Sequence, residues 1–287
     1  MTPNNTSGQL PFVLFQIKEA LYAVGSGNVR EIVILPKVVS VPELPKEFRG
    51  VINLRGKVMQ LLDLRVKLGL PSAQTELDAL IQLLCDREQD HINWLTELEA
   101  CVREKRVFQL ARDPHACAFG KWYDRYQTEN SLLKMVLKKM SEPHERIHAA
   151  AAEVLQKMEA GDLEGALNLL AARRHRELAE LSRLFAEARL ILRENHRELA
   201  VVLNRGDQRV AFSIDLVESV ERIPETGIEP MTATMGGLGA NLNWRIGKRN
   251  KTSQTIVLLD DDFLMSAGPG KPPGGRTSPP NRMVGAV

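Results

Sequence analysis

The segment Gly50-Val-Ile-Asn-Leu-Arg-Gly-Lys-Val-Met-Gln-Leu-Leu-Asp-Leu64 decides how the first part of this chain folds. Two runs rich in Val, Ile and Leu flank Arg55-Gly56. Glycine at a turn reaches backbone conformations that other residues resist, so the segment is expected to double back as two antiparallel strands. Asp63 then falls where the second strand ends. Upstream, residues 12–17 and 21–24 show the same enrichment, and Gly25, Gly27, Pro42, Pro45, Gly50 and Gly56 punctuate the runs. Residues 12 to about 70 therefore read as a β-rich region.

Downstream the texture changes. Leu77, Leu80, Ile81, Leu84, His91, Leu95, Leu98 and Val102 recur at helical spacing and mark one helix face. Further helices are expected at residues 131–140, 142–160 and 163 to about 193, with Ser141 as a cap before Pro143 and Gly161-Asp162 ending one helix and capping the next. This block reads as a bundle of about four helices. From residue 199 the strand pattern returns at 200–203, 210–214 and 255–259, with turn signals at Asn204-Arg-Gly206 and Gly236-Gly237. The expected fold is thus α+β and multidomain, with a helical block at 73–196 interrupting a β domain at 10–72 and 197–267. Residues 268–287 carry five Gly and five Pro without a periodic apolar face and read as a disordered tail.

The chain's 287 residues suit about two domains. A hydrophobic fraction of 44% beside 26% charged residues excludes a disordered or collagen-like chain. A net charge of only +2 offers no global basic field, so nucleic acid is not an expected partner. No uncharged apolar run reaches the roughly 18 residues of a membrane span, and residues 1–10 lack the basic and apolar regions of a signal peptide. A cytoplasmic location without membrane insertion is expected. Cys85, Cys101 and Cys117 are then reduced thiols, at least one of them a candidate ligand or reactive group.

His144 and His148 stand four apart on a predicted helix, which places both imidazoles on one face. Ile147, Ala151, Val154, Leu155 and Met158 continue that face, so the rings point into the bundle. Without a metal the pair would be two satisfied histidines at a packing boundary. His91 interrupts the apolar stripe of the first helix and needs a partner, which could be a backbone carbonyl. Cys117 would by itself read as a small buried residue. Together His91, Cys117, His144 and His148 form a His3Cys set that satisfies a tetrahedral Zn2+ with no open position.

Cys117-Ala-Phe-Gly-Lys-Trp122, with His91-Ile-Asn-Trp94 upstream and His144-x-x-x-His148 downstream, resembles the chemoreceptor zinc-binding (CZB) domain of bacterial signalling proteins over about residues 77–192. The resemblance implies that His91, Cys117, His144 and His148 bind zinc, and it associates the domain with responses to zinc or to oxidants such as hypochlorous acid. Phe119 and Trp122 suit wedging against neighbouring helices, and Gly120 permits close approach.

The flanking halves resemble CheW, the adaptor that joins chemoreceptors to the histidine kinase CheA. The first likeness lies in Phe48-Arg-Gly-Val-Ile-Asn-Leu-Arg-Gly-Lys-Val-Met-Gln-Leu-Leu-Asp-Leu-Arg65. The second lies in 201–210, Ile214-Asp-Leu-Val-Glu-Ser-Val220, 236–240 and 256–260. This resemblance implies a pair of small five-stranded β barrels and a place in chemoreceptor arrays. The implied partners are the receptor's cytoplasmic tip and CheA, with a homodimer through the bundle as a further expectation. It places Val29, Glu31 and Arg55 on the receptor-facing surface, although the core is an alternative for Val29 and a structural ion pair for Arg55. Residues 241–254 are longer and more basic than a compact hairpin needs.

His144-Glu-Arg-Ile-His148 also spells the zinc-peptidase motif, with Glu145 as general base and Glu164 or Glu177 as a possible third ligand. A catalytic zinc needs an open position, and His91 with Cys117 would close it. The chain is therefore expected to be a non-enzymatic adaptor, with a purely structural zinc as the alternative to a sensing one. His115, His175 and His196 are expected on solvated faces, as is the Arg173-Arg-His-Arg176 cluster. Cys85 and Cys101 are expected to be buried packing residues.

Overall fold

The computed structural model describes residues 9–230, 244–249 and 254–266. They fall into two compact units, Met1–Ala73 with Arg197–Val287 and Gln74–His196. The tail at 268–287 and the turn at Gly236-Gly237 lie outside the described residues.

The first unit is built on strands β1 (Gln9–Ile17), β2 (Ala20–Gly25), β3 (Val29–Ile34), β4 (Val38–Val39), β5 (Phe48–Leu54) and β6 (Lys57–Asp63). After the helical block come β7 (Leu199–Arg205), β8 (Gln208–Ile214), β9 (Leu216–Pro224), β10 (Glu229–Pro230), β11 (Arg245–Lys248) and β12 (Thr255–Leu259). Among the described residues they form two six-stranded sheets, ordered β10-β11-β12-β2-β1-β9 and β3-β7-β8-β6-β5-β4. Each sheet has five strands of four residues or more, and its sixth is a two-residue edge strand, β4 or β10.

Both sheets take strands from each side of the helical block. Parallel pairing joins β12 to β2 and β6 to β8, and antiparallel pairing joins β1 to β9 and β3 to β7. Neither sheet can close its order without residues 199–259. The two-residue side-chain period sorts the core: Phe12 and Leu14 of β1 enter one apolar cluster, while Val13, Phe15 and Ile17 enter another with Val201 and Phe212 of the other sheet.

The β5–β6 hairpin pairs Leu54 with Lys57 and turns through Arg55 and Gly56, at φ 52° and 79°. Two successive left-handed residues are the primed turn whose twist matches the strands. Gly50, expected as punctuation, instead lies inside β5, where the register shifts between Phe48 and Gly50. Its φ is +137°, and a Cβ there would sit 2.1 Å from the Val39 carbonyl oxygen, so only glycine lets β4 and β5 approach. Asp63 ends β6 and caps the short helix α1 (Leu64–Lys67), accepting from the Val66 amide at 3.1 Å.

The second unit comprises α2 (Ala73–Glu104), α3 (Ala118–Tyr123), α4 (Ser131–Glu159), α5 (Leu163–Arg173) and α6 (Ala179–Asn195), with a π turn at Arg174–Leu178 joining the last two. The break expected at Ser141 is absent, because α4 runs through Pro143 as one helix. Its buried face carries Leu133, Val136 and Leu137 before the proline and Ile147, Ala151 and Val154 after it, so packing on both sides outweighs the missing amide. Ser141 Oγ donates to Glu145 Oε1 at 2.7 Å rather than capping a helix. The cap is Asn130, whose Oδ1 accepts from the amides of Leu132 and Leu133. No helix among the described residues is long and apolar enough to cross a membrane.

Candidate metal centre

His91 stands on α2 in the stripe formed by Ile81, Leu84, Leu95 and Leu98, and it is 2% exposed. Its Nδ1 lies 2.6 Å from the carbonyl oxygen of Arg87, one turn earlier. A carbonyl can only accept, so Nδ1 carries the proton and Nε2 presents its lone pair. That Nε2 is buried with no hydrogen-bond partner.

His144 and His148 occupy successive turns of α4 and are 4% and 2% exposed, and neither ring nitrogen of His148 has a hydrogen-bond partner. The apolar residues of α4 set their direction, since they bury the same helix face.

Cys117 arrives by a different route. It ends the 3-10 turn Pro114–Ala116 and caps α3, with Sγ accepting from the Gly120 amide at 3.2 Å. Gly120 is fully packed: a Cβ there would stand 1.9 Å from the Pro114 carbonyl oxygen and 2.9 Å from His115 Cα. The glycine therefore lets α3 lie directly on the turn that carries the thiol. Phe119, 1% exposed, packs edge-on against His144 at 4.9 Å and His91 at 5.7 Å, and Phe185 of α6 meets Phe119 at 5.2 Å. Trp94 lies 4.9 Å from the His148 ring and donates its Nε1 hydrogen to the Ala111 carbonyl at 2.9 Å, tying down the loop before Cys117.

One potential ligand atom from each of His91, Cys117, His144 and His148 lies within 4.8 Å of all the others, and Cys117 Sγ is 3.3 Å from His144 Nε2. A tetrahedral zinc with bonds of about 2.0–2.3 Å has ligand–ligand edges of about 3.3–3.8 Å. The cluster therefore needs only a small contraction to fit that ion. Burial first, and then the neighbouring imidazoles, push the His144 pKa down to about 3 and that of His148 to about 4. Burial also lowers that of His91. All three rings are thus neutral near pH 7, the form that ligates. Burial raises the Cys117 pKa, opposed by the amides of Gly120 and Phe119, so a cation that demands thiolate must supply the difference. Orphaned buried nitrogens, neutral rings and a soft sulfur match zinc chemistry.

The peptidase geometry does not form. Glu145 is exposed and bonded to Ser141, away from the buried histidine face, and Glu164 is also exposed. Glu177 is buried but pairs with Arg173 at 2.9 Å. His115 is solvent-facing and pairs with Asp124 at 3.0 Å. His175 is exposed, whereas His196, expected on a solvated helix face, is half-buried in extended backbone just after α6. Cys101 is fully buried in the bundle core, and Cys85 only half-buried.

Glu31 and Arg55, expected on a receptor-facing surface, lie together at the second sheet. Glu31 of β3 pairs with Arg55 at 3.4 Å, and Arg55 is 81% exposed. They line a shallow pocket of about 90 Å3 with Arg30, Lys57, Asn204 and Arg209. Val29 does not stand free; it is half-buried against the core that includes Val201 and Leu203. Of the basic stretch at 241–254, residues 244–249 and 254 are described. There the Arg249 amide donates to the Gln254 carbonyl at 2.9 Å, and the Arg249 guanidinium meets Glu221 of β9 at 2.7 Å. An acidic strand thus neutralises part of the unexpected basicity.

Comparison with known proteins gives two family matches, a CheW-like domain over residues 11–92 and a chemoreceptor zinc-binding domain over residues 91–155. Over 98 residues the chain is 33% identical to the chemotaxis protein CheW of Helicobacter pylori, covering 34% of this chain and 59% of that protein. Over 97 residues it is 29% identical to the chemotaxis protein CheW of Bacillus subtilis, covering 34% and 61%. The chain thus spans about six-tenths of the length of these curated relatives. The crystal structure of the scaffolding protein TtCheW from Thermoanaerobacter tengcongensis aligns with 91% of this chain and 95% of its own, at 14% identity and a TM-score of 0.43.

Proposed function

We propose that this chain, which carries a CheW-like domain and a chemoreceptor zinc-binding domain, is a non-enzymatic chemotaxis adaptor whose state is set by a zinc site. The observation that carries the reading is the convergence of His91, Cys117, His144 and His148 inside a helical unit enclosed in sequence by a β unit. In this reading the β unit bridges a chemoreceptor's cytoplasmic tip and the kinase CheA, using the surface around Glu31 and Arg55. The four side chains hold one Zn2+, which ties α2, the turn before α3, and α4 together when bound. This places the protein in the cytoplasm at receptor arrays.

Cys117 is the ligand an oxidant reaches, since it is half-buried and the three histidines are buried. Its thiolate attacks the chlorine of hypochlorous acid, releasing hydroxide. Hydrolysis of the resulting sulfenyl chloride leaves sulfenic acid, chloride and a proton, and the sulfur is then a poorer ligand. Zinc loss and thiol oxidation thereby act on the same three helical elements. A merely structural zinc would stabilise the bundle without changing partner binding.

Metal content of the purified protein tests the site: about one zinc per chain is expected from the closed tetrahedral donor set. The His148→Ala and Cys117→Ser variants should lose it. Binding of a receptor-tip fragment and of the CheA regulatory domain, measured with and without zinc, separates sensing from a structural role. Equal binding in both states would leave the structural reading.

A further inference from the structure

Arg49, Asp63 and Glu198 of the β unit meet at one charged node. Arg49, at the start of β5, binds Glu198, the residue before β7, through Nη1 and Oε2 at 2.6 Å. The side chains are 22% and 10% exposed, so the pair is largely desolvated. Asp63, 1% exposed, ends β6 ahead of α1, ten residues before α2 begins; its Oδ2 is buried without a hydrogen-bond partner, and the charges of Arg49 and Glu198 both act on it. The Asp63 amide donates to the Glu47 carbonyl at 2.7 Å, and the Leu35 amide donates to the Glu198 carbonyl at 2.9 Å. Strand directions explain the convergence. β6 runs parallel to β8 and β7 antiparallel to it, with Asp63 beside Ser213 and Leu199 beside Ile214, so the end of β6 and the start of β7 share one end of the sheet.

From that end the strands run to the adaptor surface. β5 leads from Arg49 to the Arg55 turn, and β7 leads from Glu198 to Val202 and Asn204, which line the same pocket as Glu31 and Arg55. Six residues of strand span about 20 Å. We propose that the Arg49–Glu198 pair, with Asp63 beside it, is the coupling element through which the state of the helical block reaches the Glu31–Arg55 surface. This deepens the proposed function and rests on its reading of that surface. A strand is stiff along its length, so a change in the spacing of Asp63 and Glu198 moves the far ends of β5 and β7 rather than dissipating locally. A desolvated pair resists intermediate separations, because a half-opened charge loses its partner before regaining water. All three are positioning residues: Arg49 and Glu198 act through β5 and β7, and Asp63 acts on their pair.

Amide hydrogen exchange of residues 50–59 and 199–205 in the full chain tests this without any partner protein. Two perturbations of the helical block are applied, zinc against chelator and, independently of metal, Phe185→Ala. In the native chain at least one is expected to change exchange at the Arg55 turn by about fivefold, the low end of typical couplings. In Arg49→Met/Glu198→Met, which removes both members of the pair together, that change should vanish. If this variant does not fold, Glu198→Gln replaces it. A persistent response in the variant overturns the proposal, as does a native chain that answers neither perturbation. A response to Phe185→Ala but not to zinc, abolished by the variant, supports the node and overturns the metal-driven part of the proposed function.

Discussion

Gly120→Ala should damage zinc binding although residue 120 supplies no ligand. The added Cβ would stand 1.9 Å from the Pro114 carbonyl oxygen, and ordinary contact begins near 3.4 Å, so α3 and the turn must separate by about 1.5 Å. Neither obstacle is the far end of a flexible side chain; both are backbone. The turn carries Cys117 into the cluster and α3 donates the Gly120 amide to its sulfur, so any separation moves the thiol or breaks that bond. Metal sites tolerate about 0.2 Å in ligand distance, well under the shift required. Loss of outer-shell support typically costs 10–100-fold in affinity, and the same is expected here. Overpacking should also destabilise the metal-free bundle by about 1–3 kcal/mol. Competition against a chromophoric chelator gives the affinity, and the Co2+ thiolate absorption band reports whether sulfur still ligates. Gly27→Ala is the control, since its Cβ meets nothing within 4 Å. Zinc affinity within about threefold of the native chain, with the cobalt band intact, would refute the argument that Gly120 seats Cys117.

Cys117→Ser should release zinc readily, while Cys85→Ser, on half-buried α2 surface, should leave its affinity unchanged; similar losses in both would remove Cys117 from the ligand set. Metal-free protein should lose stability in acid. His144 and His148 have folded pKa values near 3 and 4 against an ordinary 6.5, so below pH 6.5 the unfolded chain takes up protons that the folded one refuses. The loss is about 1.4 kcal/mol per pH unit per ring until the folded values are approached. Equal melting temperatures of chelated protein at about pH 7.5 and about pH 5 would contradict the burial of these rings. Arg55→Glu places two acids together on an 81% exposed site, so stability should change by less than about 1 kcal/mol, while receptor-tip or CheA binding should fall several-fold. Unchanged binding in a pull-down would move the adaptor surface elsewhere.

The inward direction of the three histidines was legible in the sequence because helical geometry is local. His144 and His148 share a face by spacing alone, and the apolar residues around His91 announce which side of α2 is buried. The β5–β6 hairpin was equally local, since a two-residue turn fixes the register of the strands that it joins. The continuity of α4 was not legible: Pro143 removes an amide, and only the bundle core on both sides of it decides that the helix continues. Strands β9 and β11 were hidden because Glu218, Glu221, Arg222, Arg245 and Lys248 dilute the apolar signal, and pairing along β1 and β12 supplies what composition does not.

By itself the sequence determined the residue types at each site, the periods that make helices and strands, and the order in which a helical block divides a β-forming chain. Only the tertiary structure decided that the end of β6 and the start of β7, 135 residues apart from Asp63 to Glu198, lie at one end of a sheet with β8 between them, and that Cys117 reaches three histidines from other helices. Periodicity acts over a few residues, whereas these placements depend on strand pairing and core packing between segments with no relation in sequence.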